Sequence, residues 1–437
     1  MLLFRLTKKK RILAVKFANM FFLYNLLVLF TGFLLRILAL FSPKMKLFVS
    51  GRKNVFSTLK QSIQKTDSVI WFHAASLGEY EQGLPVMEAI KKVYPNHKLL
   101  LTFFSPSGYE VRKNNTISHI TLYLPLDTQK NAIDFINLVH PEMVFFIKYE
   151  FWPNYLKQLQ QKEIKTYLIS GIFREKQAFF KWYGGFYRKA LHSFNHFFVQ
   201  NEKSKILIQN IGFSNVTISG DTRFDRVVAI LNRDNLLDFM DSFVFLDSAR
   251  NNKATVIVIG SSWPKDEELL VKYINQSREN VKFIIAPHNI KPEQILTLKN
   301  QIQKKTVLFS EKETHSKLTD YQVFIIDTIG ILTKIYSYAD IAYVGGGFGN
   351  PGVHNILEPA TFGVPIVIGP NYSHFAEATA LVNLEGCLTI SDYNSLKNTF
   401  DLLLQNEDER YEKGHICSTF VQMNTGATQT ILNHITQ

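Results

Sequence analysis

The 437-residue sequence predicts an α/β protein built from two tandem Rossmann-like, doubly wound domains facing a cleft. Three observations carry that prediction. From residue 67 onward short apolar runs alternate with single helical stretches, the signature of parallel βαβ units. The alternation lapses into a polar stretch at 232–253 and restarts at Ala254, so the pattern is laid down twice. Apolar residues make up 46% of the chain, enough for two substantial cores and too many for a disordered protein. The expected domains are a basic N-terminal segment at 1–45, a first domain at 50–230, a linker at 231–253, and a second domain with C-terminal helices at 254–437.

The N-terminal segment differs in kind from the rest. Residues 1–60 hold 12 lysines and arginines and not one acid, while the remainder carries 37 of each sign. The net charge of +12 is therefore confined to the N-terminus, and the neutral body is not that of a nucleic-acid binder. Within the segment, residues 17–35 form 19 uncharged positions flanked by Lys8–Arg11 on one side and by Arg36, Lys44 and Lys46 on the other. As a helix they span about 28 Å, close to the thickness of a bilayer core. Asn19, Asn25 and Thr31 interrupt the run, and Phe21, Phe22 and Tyr24 suit an interface. A membrane anchor is expected, spanning or in-plane, with membrane lipids as partners. A cleaved signal would need a small-x-small site, and none follows.

The first series of strands runs over 68–72, 99–104, 117–124, 143–147, 166–169 and 197–199, with helices at 80–93 and around 133–139. Ligands of such sheets bind beyond the carboxyl ends of the strands, so three loops matter. In WFHAASLGEYEQG (71–83), Gly78 follows a strand and Glu79 opens a helix, where the dipole alone would also favour an acid. In FFSPSGYE (103–110), Ser105, Ser107 and Gly108 either bind an anion or cap a helix. In IKYEFWPN (147–154), Glu150 ends a buried strand, with Lys148 or Arg174 available to pair with it.

The second series covers 255–259, 281–286, 306–309, 323–326, 341–344 and 364–368. Its most informative stretch is YVGGGFGNPGVHNILEPATFGVPIVIGP (343–370). A strand enters a glycine turn, a helix over 354–362 starts at the candidate cap Asn355, and Glu358 falls in its first turn. Glycine loops bring backbone N–H groups close to a ligand, and a helix N-terminus favours an anion. A nucleotide with its phosphate at the loop and its ribose on Glu358 fits the layout; so does a plain glycine turn with a capping glutamate. The two cysteines, Cys387 and Cys417, build no disulfide framework, and the 12 histidines show no metal spacing, so neither metal nor cofactor is expected.

In order and spacing, HAASLGE (73–79), FFSPSG (103–108), YLPLD (123–127), EFWPN (150–154), GDTRFD (220–225) and GGG…GVHNILEPA (345–360) resemble one family. It is the 3-deoxy-D-manno-octulosonic acid (Kdo) transferases of lipid A core assembly, glycosyltransferases of the GT-B fold. The resemblance implies transfer of Kdo from CMP-Kdo to a lipid A precursor by an inverting, metal-independent reaction at the cytoplasmic face of the inner membrane. It implies that Glu79 is the general base and Glu150 a supporting acid, with Ser76, Gly78, Ser105 and Ser107 facing the acceptor. Gly346, Gly347, Asn355, Glu358, Arg223 and His288 would then form the CMP site. Two departures stand out. Lys148 replaces the first acid of a usual Glu-Thr-Glu, and Ala286-Pro287-His288 replaces Pro-Arg-His, leaving Lys291 as the nearby cation. Arg223 stands where the family has lysine. Two other classes share parts of this pattern: a GT-B transferase using a UDP-sugar and a lipid acceptor, and a non-catalytic membrane protein that binds lipopolysaccharide precursors.

Overall fold

The computed structural model describes residues 2–245, 253–315 and 317–437, with side chains from Met20 onward. The chain divides into two compact units, Met1–Arg226 with Gly426–Gln437, and Val227–Thr425.

The first unit is a parallel sheet of seven strands: β1 (Val69–Ala74), β2 (Lys98–Phe103), β3 (Ile120–Tyr123), β4 (Met143–Ile147), β5 (Lys165–Gly171), β6 (His196–Val199) and β7 (Val216–Ile218). Their spatial order is β3-β2-β1-β4-β5-β6-β7. β1 and β4 are buried at every residue, as strands covered by helices on both faces must be. Alternate residues of β1 feed opposite layers. Trp71 packs on Phe135 at 4.9 Å and Phe146 at 5.4 Å. Phe72 stacks on Phe145 at 4.5 Å, on the side where Ile90 and Ile431 are buried. β7 has one buried residue, Val216, and for that reason is missing from the expected series.

Two segments join this unit where the sequence places them elsewhere. The C-terminal helix Ala427–Ile435 was expected with the second domain, yet it buries Ile431 and Ile435 in the first unit's core. Its N-terminal N–H groups at Gly426 and Thr428 both donate to the Asp225 carboxylate at 2.6 Å, satisfying the helix end. The N-terminal helix Leu2–Leu38 is expected as a separate anchor, but it is bound to the body through two of its polar side chains. Tyr24 donates to Asp127 at 2.8 Å, and Asn25 accepts from Gln129 N–H at 3.0 Å and from the Asn154 amide at 3.1 Å. Met20–Leu38 is long and apolar enough to cross a membrane and none of it is fully buried; Phe22, Leu26, Phe30 and Phe33 are exposed.

The second unit is also a seven-stranded parallel sheet: β8 (Thr255–Ser262), β9 (Val281–Pro287), β10 (Thr306–Leu308), β11 (Val323–Ile325), β12 (Ile341–Val344), β13 (Ile366–Ile368) and β14 (Cys387–Thr389), in the order β10-β11-β9-β8-β12-β13-β14. Edge strand β14, with only Cys387 buried, is the one the periodicity misses here. Of the expected linker, Asp238–Val244 is helical, with Met240, Phe243 and Val244 packed on this unit's core; 246–252 lie outside the described residues.

Candidate active site

Both sheets reverse their winding once. In the first unit the chain goes from β1 outward to β2 and β3, then returns to β4 on the other side of β1. Helices on either side of such a switch point diverge and leave a crevice at the strand carboxyl ends. The loops flanking it are 75–79 after β1 and 148–153 after β4, and these carry Glu79 and Glu150.

Glu79 lies in the first turn of helix Leu77–Val93 and is 6% exposed; the Ser76 hydroxyl donates to its carboxylate. That contact replaces water at the acid and fixes its rotamer. Gly78 beside it is exposed, and a Cβ there would meet only Ser76 Oγ at 3.8 Å, so the loop is open on that side. The β2 loop closes against the same point. Ser105 N–H donates to Ala75 O at 2.8 Å, and a Cβ on Gly108 would fall 2.9 Å from the Ser76 carbonyl carbon. Ser105 caps helix Pro106–Arg112 by accepting from Ser107 N–H at 3.3 Å and shares a 2.9 Å hydroxyl contact with Ser107. The structure therefore brings Ser76, Gly78, Glu79, Ser105 and Ser107 together.

Glu150 is tied to β1 by groups the sequence reading left unassigned. The Trp152 indole lies 3.1 Å from both His73 Nε2 and the Glu150 carboxylate, and His73 Nε2 is 3.5 Å from that carboxylate. An indole N–H only donates, so both partners accept from it. His73 is fully buried and its Nδ1 meets Thr102 at 2.9 Å, which in turn accepts from Trp71 at 2.8 Å. Among the described residues Glu150 pairs with neither Lys148 nor Arg174; His73 and Trp152 hold it instead. Tyr149 joins the two acids. Burial, then the charge of Glu79, holds its phenol above the ordinary range, with Glu150 adding and Arg174 opposing. Lys148, at φ 73, occupies the left-handed region, a strained turn of the kind found where a loop re-aims its side chains. The signal for this cluster was present as HAAS and EFWPN, but only the register of β1 beside β4 and β2 reveals that His73, Thr102 and Glu150 converge.

Arg223 belongs to this first unit. Its guanidinium forks onto Asp221 at 2.9 and 2.8 Å, and Asp221 also accepts from Gln82 on the Glu79 helix at 3.1 Å.

In the second unit the switch point falls between β8 and β12. The glycines there serve loop packing more than ligand approach. Gly346, at φ +95, donates its N–H to buried Asp266 at 2.9 Å, and a Cβ on Gly347 would lie 2.7 Å from the Gly369 backbone. Asp266 also accepts from Tyr343 at 2.8 Å and from Trp263 N–H at 2.9 Å, pinning the β8 and β12 loops to each other. On this base stands an aromatic stack: the His288 ring lies 4.5 Å from Trp263 and 4.5 Å from His354, and Trp263 donates to His354 Nε2 at 2.9 Å. Burial holds both histidines below their ordinary value, so they are neutral at pH 7. The helix is shorter than expected, Leu357–Thr361, with Asn355 two residues before it accepting from Leu357 N–H at 3.2 Å. Glu358 accepts from Asn355 at 3.0 Å and Thr333 at 2.8 Å, a carboxylate held in place on two sides.

Two seven-stranded parallel sheets in one chain, each with its polar residues at the switch point, give the GT-B fold. UDP-GlcNAc 2-epimerase from Neisseria meningitidis shares the fold, at 13% identity and a TM-score of 0.59, covering 84% of this chain and 99% of that one. More particularly, the model of the 3-deoxy-D-manno-octulosonic-acid transferase (kdotransferase) family matches residues 51–226. A 3-deoxy-D-manno-octulosonic acid transferase of Chlamydophila psittaci is 26% identical over 365 residues, 81% of this chain and 82% of the relative. That of Haemophilus influenzae is 26% identical over 382 residues, 83% and 86% of the two chains. The chain is thus a relative of the Kdo transferases across most of its length.

Proposed function

We propose that the protein transfers Kdo from CMP-Kdo to a lipid A precursor of the lipid IVA type, for lipopolysaccharide assembly at the cytoplasmic face of the inner membrane. The observation that carries this reading is a coincidence. The segment matched by the family, 51–226, is the one whose switch point presents buried Glu79 beside an open glycine. Glu79 takes the proton of an acceptor hydroxyl as its oxygen attacks the anomeric carbon of Kdo. The bond from that carbon to the CMP phosphate breaks, its electron pair leaving on the phosphate, so the anomeric configuration inverts. Ser76 keeps the carboxylate aimed, and Gly78, Ser105 and Ser107 contact the acceptor. Glu150, anchored by His73 and Trp152, supplies a fixed negative charge that orients the acceptor.

The nucleotide binds the second unit. Glu358, held by Asn355 and Thr333, takes the ribose hydroxyls. The exposed His288 face, in its stack on Trp263, offers a platform for the base where the family's arginine is missing. Gly346 and Gly347 act by shaping the loop, and no metal takes part. Incubating the protein with CMP-Kdo and lipid IVA, with and without a chelator, and weighing the product tests the proposal. Addition of Kdo in both conditions is expected. Transfer from a UDP-sugar with none from CMP-Kdo would overturn it.

A further inference from the structure

The acid-free N-terminal region builds a pocket outside the crevice. A cavity of about 440 Å³ lies between helix Leu2–Leu38, helix Pro43–Ser50 and the loop after β3, lined by Gly32, Arg36, Phe48, Arg52, Lys53 and Leu126 among others. Its floor is Arg52. The guanidinium donates to three carbonyls, Phe48 O at 2.7 Å, Leu124 O at 2.8 Å and Phe104 O at 2.6 Å, and lies 3.6 Å over the Phe48 ring. Three of its five N–H groups are thereby used and two have no protein acceptor. Burial lowers this group only to about 10, so it is charged at neutral pH. Arg36 and Lys53 stand exposed on the rim, and among the described residues no carboxylate pairs with any of the three.

A half-buried arginine without a counter-ion, joined by two further cations, is an unbalanced charge that an anion would complete. The walls specify more than an anion. Gly32, Phe48 and Leu126 are apolar, and the neighbouring Phe33, Leu40, Phe41 and Leu47 are exposed, Phe41 at 81%. Met20–Leu38 places this surface beside a segment apolar enough for lipid. A free phosphate would leave those walls wet, whereas an amphiphile covers both.

We propose that this pocket holds one anionic phospholipid of the bilayer, its phosphate on Arg52, Arg36 and Lys53 and its acyl chains along the exposed face of the N-terminal helix. Because Arg52 is bonded to Phe104 O, next to Ser105, an occupied pocket also braces the 103–108 loop. The site stands independently of the sugar donor or acceptor proposed above.

Calorimetry on the full-length protein in an uncharged detergent tests it with dihexanoyl phosphatidylglycerol, dihexanoyl phosphatidylcholine and inorganic phosphate as probes. Saturable, one-to-one binding is expected for the phosphatidylglycerol, with weaker binding of the other two. Arg36→Gln with Lys53→Gln removes two exposed cations that hold no structure, and should weaken that binding at least about tenfold. Lys44→Gln with Lys46→Gln removes the same charge from exposed positions off the pocket, and should change it by less than about twofold. Equal losses from the two pairs would show a diffuse basic field and overturn the site. So would absent saturation, phosphatidylcholine binding as tightly, or inorganic phosphate binding as tightly as the lipid.

Discussion

The two switch points share a topology and spend their buried polar groups differently. In the first unit the crevice is made of side chains: Glu79 with Ser76, and Glu150 with His73 and Trp152. In the second, buried Asp266 ties down backbone N–H groups, and the solvent-reaching elements are exposed His288, on its ring stack, and half-buried Glu358. A crevice lined by carboxylates with fixed rotamers suits proton transfer. A crevice of tightly packed loops under flat rings suits binding. On the function proposed above, the same winding yields a chemical half and a holding half, and variants can show whether that division is real.

The largest effect is expected at Glu79. Glu79→Gln keeps the size of the side chain and a group that Ser76 can still bond, but it cannot accept a proton. Transfer should fall by about 10²–10⁴-fold, the usual range for a lost general base, while CMP affinity by calorimetry stays unchanged. Loss of CMP binding in parallel would break the division. Near-normal turnover would move the base to Glu150.

Glu358→Ala asks the converse question of the second unit. If the carboxylate holds the ribose, a charge-assisted hydrogen bond worth about 1.5–3 kcal/mol is lost, and CMP should bind roughly 10-fold weaker or worse. Unchanged CMP affinity would leave the glutamate as a cap for Asn355 and Thr333. Gly347→Ala sharpens the point from the packing side. Its Cβ would meet the Gly369 backbone at 2.7 Å, so the unit should lose about 1–3 kcal/mol of stability, read as a lower urea midpoint. An unchanged midpoint would mean that the loops are free to part.

The unequal legibility of the two halves in the sequence follows from the same difference. Strand series, doubly wound class and the position of Glu79 were readable, because fully buried strands such as Val69–Ala74 announce themselves as apolar runs. Trp263, His354 and Asp266 were not singled out: each is ordinary alone, and they meet only because β12 lies beside β8. The glycines at 345–347 misled in emphasis, since a pattern for close approach does not say whether ligand or backbone approaches; here it is Ser261 and Gly369. The helix Ala427–Ile435 was assigned to the wrong unit because amphipathic spacing marks a buried face without naming what buries it.

The C-terminal helix gives the pH-dependent contrast. The His196 ring on β6 lies tilted against that of His434 at 4.0 Å, and burial, then His434, lowers His196 to about 4. The folded state thus favours the neutral ring, and the unfolded state binds more protons between about pH 4 and 6.5. The stability that the neutral His196 ring contributes is fully present above pH 6.5 and is lost as pH falls through that window. Thermal unfolding from pH 7 to 5 should therefore show the first unit weakening, an effect that His196→Gln reduces. A pH response unaltered by that variant would place the titration elsewhere.

The smallest expected effect is at Tyr24, where the N-terminal helix meets the first unit. Asp127 accepts from Tyr24, from Asn154 N–H at 3.0 Å and from Tyr155 N–H at 3.0 Å, so it caps helix Pro153–Gln161, which starts just beyond Glu150 and Trp152. Burial pushes this carboxyl up to about 6 in spite of those donors, so each bond to its charged form counts. Tyr24→Phe removes one donor while leaving the two backbone bonds and the ring contact with Phe186. The loss should be about 1 kcal/mol, or a few degrees in Tm, with CMP affinity untouched because the second unit has no part in this node. Asp127→Asn should cost more, since it weakens the cap as well. If Tyr24→Phe instead leaves Tm unchanged, the N-terminal helix is a tether alone, and the first unit is independent of the segment that precedes it.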